Sequence, residues 1–110
     1  DDPDDCDFTL PAMHQAGPVR IAIGTGGASP ALAKFLREWL EANLPEEVAV
    51  LAEELARARP IVQQRVSDPR LRQTVWDTLC TDCSIKLLSR HDRTKWREWF
   101  ERTLVQHADK

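Results

Sequence analysis

Between residues 19 and 30 the chain has little choice but to run as a strand, turn sharply and enter a helix. Val19, Ile21 and Ile23 alternate with Arg20 and Ala22, the period-two pattern of a strand with one covered face. Gly24-Thr25-Gly26-Gly27 follows at once. Ser29 then offers a side-chain oxygen to the first free amides of a helix, and Pro30 suits its first position. Upstream, Ala16-Gly17-Pro18 is turn chemistry, and residues 8–15 form a short apolar run. The expectation is a β-hairpin whose first strand is an edge, because Pro11 has no N–H to give to a ladder.

The remainder reads as helix. Leu32, Phe35, Leu36, Trp39, Leu40 and Leu44 recur at three- and four-residue spacing, one apolar stripe that ends at Pro45. Glu46 and Glu47 open a second helix with Val48, Leu51, Leu55, Val62 and Val66 in register. Pro60 lies inside it and should kink or split it. Asp68-Pro69 restarts a helix with Leu71, Val75, Trp76 and Leu79 inward. A short turn through Ile85, Leu87 and Leu88 follows, and Asp92 caps a last helix bearing Trp96, Trp99, Phe100 and Leu104. The fold class is therefore α+β and mostly α: a hairpin and Gly-rich loop, then four to five helices. Residues 1–45 form one segment and 46–110 a second, helical one. A lone hairpin is marginal, and the stripe on the second helix is narrow, so both point to a homodimer.

Composition removes several classes. With 42% hydrophobic and 30% charged residues, the 110-residue chain can pack a core under a soluble surface. The net charge of −3 and scattered Lys and Arg argue against nucleic acid. No apolar run approaches the roughly 20 residues that cross a bilayer, so no membrane partner is expected. Three cysteines are an odd number for a disulfide framework, and a reducing cytoplasmic location is the expectation. The first residue is Asp, as expected of a piece of a longer protein.

Three places carry possible chemistry. The loop of Gly24, Thr25, Gly26 and Gly27 precedes a helix N-terminus, where backbone N–H groups and the helix dipole favour anions. The dinucleotide fingerprint Gly-x-Gly-x-x-Gly is absent, since Ser29 stands where the third glycine would be, and no P-loop lysine follows. A tight structural turn and an anion site both remain open for this loop. The aspartates at positions 1, 2, 4, 5 and 7 read either as a solvated end or as a source of a carboxylate that moves a proton or holds a hard metal ion. Cys80-Thr81-Asp82-Cys83 reads as half a zinc site, as a redox pair, or, with Cys80 on its helix's apolar face, as a buried structural thiol. Cys6 is expected to pack near the hairpin. The four tryptophans fall on helical stripes and read as core.

Asp1-Asp2-Pro3, Cys6-Asp7-Phe8 and Pro11, followed by Val19-Arg20-Ile21-Ala22-Ile23-Gly24-Thr25-Gly26-Gly27-Ala28-Ser29-Pro30-Ala31-Leu32-Ala33, resemble precorrin-2 dehydrogenases. These also occur as the front half of trifunctional siroheme synthases. The likeness is specific in order and spacing over about the first 45 residues. Beyond them Leu71-Arg72, Trp76, Leu79 and Leu87-Leu88 look like the family's C-terminal helical region, while the CxxC is not part of the pattern. The resemblance implies an N-terminal Rossmann domain that binds NAD, missing from this chain, a central segment that forms an intertwined dimer, and a closing helical segment. It implies oxidation of precorrin-2 to sirohydrochlorin with NAD⁺ as hydride acceptor, and in some members Fe²⁺ insertion. It makes Asp1 the catalytic aspartate, two positions before Pro3, and it sets Thr25, Gly26 and Gly27 against the carboxylates of the tetrapyrrole substrate. It also implies that this fragment alone neither binds NAD nor catalyses the dehydrogenation. Two rivals stand beside it: a non-catalytic helical dimerisation or binding module, and a small zinc or redox protein built on Cys80 and Cys83.

Overall fold

The computed structural model describes residues 12–109. It contains an antiparallel hairpin, β1 (Ala12–Ala16) and β2 (Val19–Ile23), then five helices. These are α1 (Pro30–Asn43), α2 (Glu47–Arg65), α3 (Pro69–Leu79), α4 (Asp82–Leu87) and α5 (Thr94–His107). The α+β, mostly α reading of the sequence is the observed fold class. The chain divides into two compact units that meet between Pro45 and Glu46. The residues expected to begin the first strand, with Pro11 and Cys6, lie outside the described residues.

In the first unit, Ala16 pairs with Val19 across the two-residue turn Gly17-Pro18, and Ala12 with Ile23. Gly17 sits at φ 60, the left-handed conformation that a tight hairpin turn asks of its first central residue. Ala12, His14, Ala16, Val19, Ile21 and Ile23 share the half-buried face, and the alternate residues are exposed. Helix α1 lies against both strands. Its N-terminus is capped as the sequence suggests: the Leu32 N–H donates to Ser29 Oγ at 3.2 Å, and Pro30 holds the first turn. The expected single stripe on α1 is divided. Leu36 and Leu40 are half-buried, whereas Leu32, Phe35 and Trp39 are 43%, 58% and 51% exposed. No residue of β1, β2 or α1 is buried.

The second unit has a core of its own, built from Val50, Ala58, Val62, Val66, Val75, Leu79, Leu88, Trp96, Phe100 and Leu104. Trp96 is its largest fully buried side chain and stacks on Phe100, ring centres 5.5 Å apart. The Trp96 indole N–H donates to Ser84 Oγ at 2.8 Å, and the Ser84 hydroxyl donates to the Leu79 carbonyl. This relay ties α3, α4 and α5 together and satisfies each buried polar atom in it. The turn between α2 and α3 is closed from the far end of the chain. The Asp109 carboxylate accepts from the Ser67 N–H and hydroxyl, while the Asp109 N–H donates to the Arg65 carbonyl.

Helix α2 corrects two expectations. It runs unbroken through Pro60. Pro60 is exposed, so the Ala56 carbonyl that has lost its helical donor remains within reach of water, and fully buried Ala58 and Val62 clamp the helix on either side. The buried register is also different. Val50, Glu54, Ala58 and Val62 point inward at four-residue intervals, while Val48, Leu51 and Leu55 are only half-buried. Two further corrections concern side chains. Trp39 is exposed and Trp76 and Trp99 half-buried, so only Trp96 is a fully buried tryptophan. Cys80 is exposed instead of buried, because α3 ends at Leu79 and Cys80 is already its C-cap.

Glu54 is 1% exposed, in the middle of an apolar stripe. It is held there by three guanidinium groups. Arg97 donates from Nε at 2.8 Å and from a terminal nitrogen at 2.9 Å, Arg93 at 2.8 Å, and Arg57 at 3.2 Å. Burial pushes this carboxyl up, but the hydrogen bonds from Arg97, Arg93 and Arg57 outweigh it and hold the pKa at about 2. Because the folded pKa is depressed from 4.5, the stabilisation is complete above pH 4.5 and is lost as pH falls toward 2. Glu54→Gln should therefore cost about 3 kcal/mol in urea denaturation at pH 7. The deficit relative to wild type should shrink between pH 4.5 and 2. A deficit that stays constant across that range would show that the charge of Glu54 does not hold the helices together.

Candidate functional site

The loop between β2 and α1 is built from its glycines. Gly26 and Gly27 stand at φ 65 and φ 80, a pair of left-handed residues that reverses the chain within one turn. The Ala28 N–H closes that turn on the Thr25 carbonyl at 3.0 Å. An added Cβ at Gly24, Gly26 or Gly27 would meet nothing within 4 Å. Glycine is thus required at 26 and 27 by backbone conformation and not by crowding, and the outer side of the turn stands open.

Thr25 is half-buried and clamps the loop to the helix. Its Oγ1 accepts the Ser29 N–H at 3.3 Å and donates to the Ser29 carbonyl at 3.3 Å. Ser29 Oγ in turn caps Leu32. The hydroxyl expected to face a ligand is therefore already engaged within the loop. Among the described residues no hydrogen bond uses the Gly26 or Gly27 N–H, so these amides are the donors that an anion could take. The structure brings Thr25, Gly26 and Gly27 together in one turn. Asp1 lies outside the described residues.

Cys80 and Cys83 are both exposed thiols. Partial desolvation of the Cys80 sulfur by its neighbours, together with the Asp77 charge, pushes this thiol up, which keeps it protonated and weakly nucleophilic. No group of three or more His, Cys, Asp or Glu side chains among the described residues is arranged to hold a metal ion. The sequence reading missed the Glu54 cluster altogether. The signal was an acid at the four-residue spacing of Val50, Ala58 and Val62, together with unassigned arginines in the last helix.

No helix among the described residues is long and apolar enough to cross a membrane. A family model described as the sirohaem synthase dimerisation region matches residues 47–104. A siroheme synthase of Methylococcus capsulatus is 43% identical over 77 residues, which are 70% of this chain and 16% of that protein. A siroheme synthase of Thioalkalivibrio sulfidiphilus is 33% identical over 109 residues, which are 99% of this chain and 22% of that protein. The chain thus spans less than a quarter of the length of these relatives. Among solved structures, SirC, a precorrin-2 dehydrogenase, superposes with a TM-score of 0.70 at 23% identity, covering 90% of this chain and 47% of that one.

Replacing Gly27 by Val places a β-branched residue at φ 80 and should cost more than replacing Thr25 by Val, which removes two 3.3 Å hydrogen bonds. Roughly 2 kcal/mol against 1 is expected. Hydrogen exchange at the Ala28 and Ser29 amides reads out both. Equal protection in Gly27→Val and wild type would remove the conformational reason for that glycine.

Proposed function

This chain belongs to the sirohaem synthase dimerisation-region family, and on that premise we propose that it is part of an NAD-dependent precorrin-2 dehydrogenase of siroheme biosynthesis. In this reading it supplies the interface of a homodimer and one wall of the tetrapyrrole cleft. Residues 1–45 are the dimerisation and substrate-cleft segment, and 46–110 are the helical segment that braces it. The parent enzyme converts precorrin-2 to sirohydrochlorin, with NAD⁺ accepting the hydride. Fe²⁺, which some members of the family insert into the product, is the second substrate this reading allows. The cytoplasm, where exposed thiols such as Cys80 and Cys83 stay reduced, is the compartment this reading takes.

One observation carries the dimer. The described part of the first unit has no buried side chain, yet α1 presents Leu32, Phe35 and Trp39 outward. A hairpin and one helix packed this thinly do not offset the entropy of ordering them, and a second copy against the exposed stripe supplies what is missing. Among the described residues both strands also have a free edge, and pairing of an edge with a partner strand fits an intertwined assembly.

The residues present do not fit a dinucleotide. The Thr25–Ala28 turn is closed on itself, Thr25 is bound to Ser29, and Ser29 takes the place of the third glycine. No step is therefore assigned to NAD⁺ on these residues. What the loop does offer suits a polycarboxylate substrate: the Gly26 and Gly27 amides, an open approach, and the positive end of α1. The Thr25 hydroxyl fixes that geometry and is available to a carboxylate on release of its bond to Ser29. Asp1 is assigned the movement of a proton to or from the macrocycle.

Two measurements test the reading. The chain should sediment as a homodimer at micromolar concentration, and Phe35→Glu with Trp39→Glu should give a monomer that retains the helical signal of the second unit. A wild-type monomer would overturn the interface assignment. In the full-length gene product, Gly27→Val and Thr25→Glu should lower sirohydrochlorin affinity by about tenfold or more while leaving the dimer intact. Wild-type affinity in both would reduce the loop to a turn.

A further inference from the structure

We propose that the outward face of the hairpin seats the macrocycle, with Arg20 holding a carboxylate at the end of β2 far from the Gly26–Gly27 turn. This rests on the reading of that turn as a carboxylate site and adds a second anchor to it. Helix α1 lies against the hairpin, and the half-buried residues of both strands share one face. Met13, Gln15, Arg20 and Ala22 are exposed on the other. Gly24, next in the same alternation, is exposed too.

Three features of this face select a flat polycarboxylate. The first is an isolated charge. No Asp or Glu occurs from residue 12 to residue 29, and Arg20 is the one permanently charged side chain there. Gln15, directly across the ladder from Arg20, is turned back on the hairpin turn, where its Nε2 donates to the Gly17 carbonyl at 3.1 Å. Among the described residues of the hairpin nothing of opposite charge competes for the guanidinium, whose fork of N–H donors matches a carboxylate in two parallel bonds. The second is a low, apolar floor. Ala22 pairs with Met13 across the ladder, and Met13 is 46% exposed. A methyl and a thioether form a surface on which a conjugated ring can lie. The third is Gly24. Gly26 and Gly27 need glycine because φ is positive, but Gly24 is not among the positive-φ glycines, and a Cβ added there would meet nothing within 4 Å. Neither conformation nor crowding asks for glycine at 24, whereas a ring that passes over this position to reach the turn does. Arg20 and Gly24 are four residues apart, about 13 Å of extended chain, the scale of a tetrapyrrole measured between carboxylates on opposite sides.

The test titrates sirohydrochlorin into the full-length gene product, with sedimentation reporting the dimer for each variant. Arg20→Met should weaken binding about tenfold and Arg20→Glu further, whereas Arg20→Lys, which keeps the charge, should stay within about threefold of wild type. Added salt should weaken the wild type more steeply than Arg20→Met, because an exposed ion pair is screened. Gly24→Leu, unstrained in the fold, should weaken binding about tenfold and keep the wild-type salt dependence. Wild-type affinity in Arg20→Glu or in Gly24→Leu overturns the inference. Loss of the dimer in either variant also overturns it, because a second copy then occupies this face. Gly27→Val separates this result from the reading beneath it. If Gly27→Val binds weakly while the Arg20 variants bind like wild type, only the second anchor is lost. If Gly27→Val binds like wild type while the Arg20 variants are weak, the turn is lost as an anchor and Arg20 stands.

Discussion

Glu54 is the point on which the helical unit turns. A carboxylate at 1% exposure would ordinarily pay a desolvation cost that no fold of this size absorbs, so it persists only because three guanidinium groups enclose it. Two of them, Arg93 and Arg97, belong to the start of α5, some forty residues away in sequence. The cluster therefore fixes the beginning of α5 against the middle of α2. Once that is set, Trp96 enters the core one turn from Arg93, stacks on Phe100 and reaches Ser84 between α3 and α5. Arg93 also bridges to Glu53, which extends the cluster to the surface and gives it a direction.

The two units solve the burial problem differently. Residues 46–109 enclose an indole, leucines and valines completely, each fully buried aliphatic side chain contributing about 1.5–3 kcal/mol. The hairpin and α1 enclose none, and the stripe that a monomer would hide is left outward. In the proposed reading, Phe35 and Trp39 at the surface of this thinner unit are the contact face of an assembly. The loop of Thr25, Gly26 and Gly27 belongs to that same unit, so the proposed interface and the proposed substrate wall share one scaffold of strand, turn and helix.

Pro60 shows how tertiary context alters a local rule. Inside a helix it costs about 3 kcal/mol, and on local grounds the chain should break there. Buried Ala58 and Val62 hold both sides in line, and the Ala56 carbonyl, which Pro60 cannot serve, lies on the exposed side within reach of water.

Local chemistry alone determined the hairpin turn, the caps at Ser29 and Asp68, and the positive-φ glycines at 26 and 27. Each depends on a residue and its immediate neighbours: a missing Cβ, a fixed proline φ, a hydroxyl or carboxylate two or three residues before an amide. The resemblance likewise rested on a contiguous motif. Burial was not legible in the same way. The inward face of α2 runs through Glu54, and a pattern read from apolar residues alone selects Val48, Leu51 and Leu55 instead. Nothing near Glu54 in sequence announces Arg93 and Arg97, because their pairing is decided by where α5 packs. Cys80 and Trp39 kept the spacing of their stripes, yet one falls just past the end of its helix and the other is left exposed. Period gives a helix its apolar residues; which of them meet another surface is settled only when the other surface arrives.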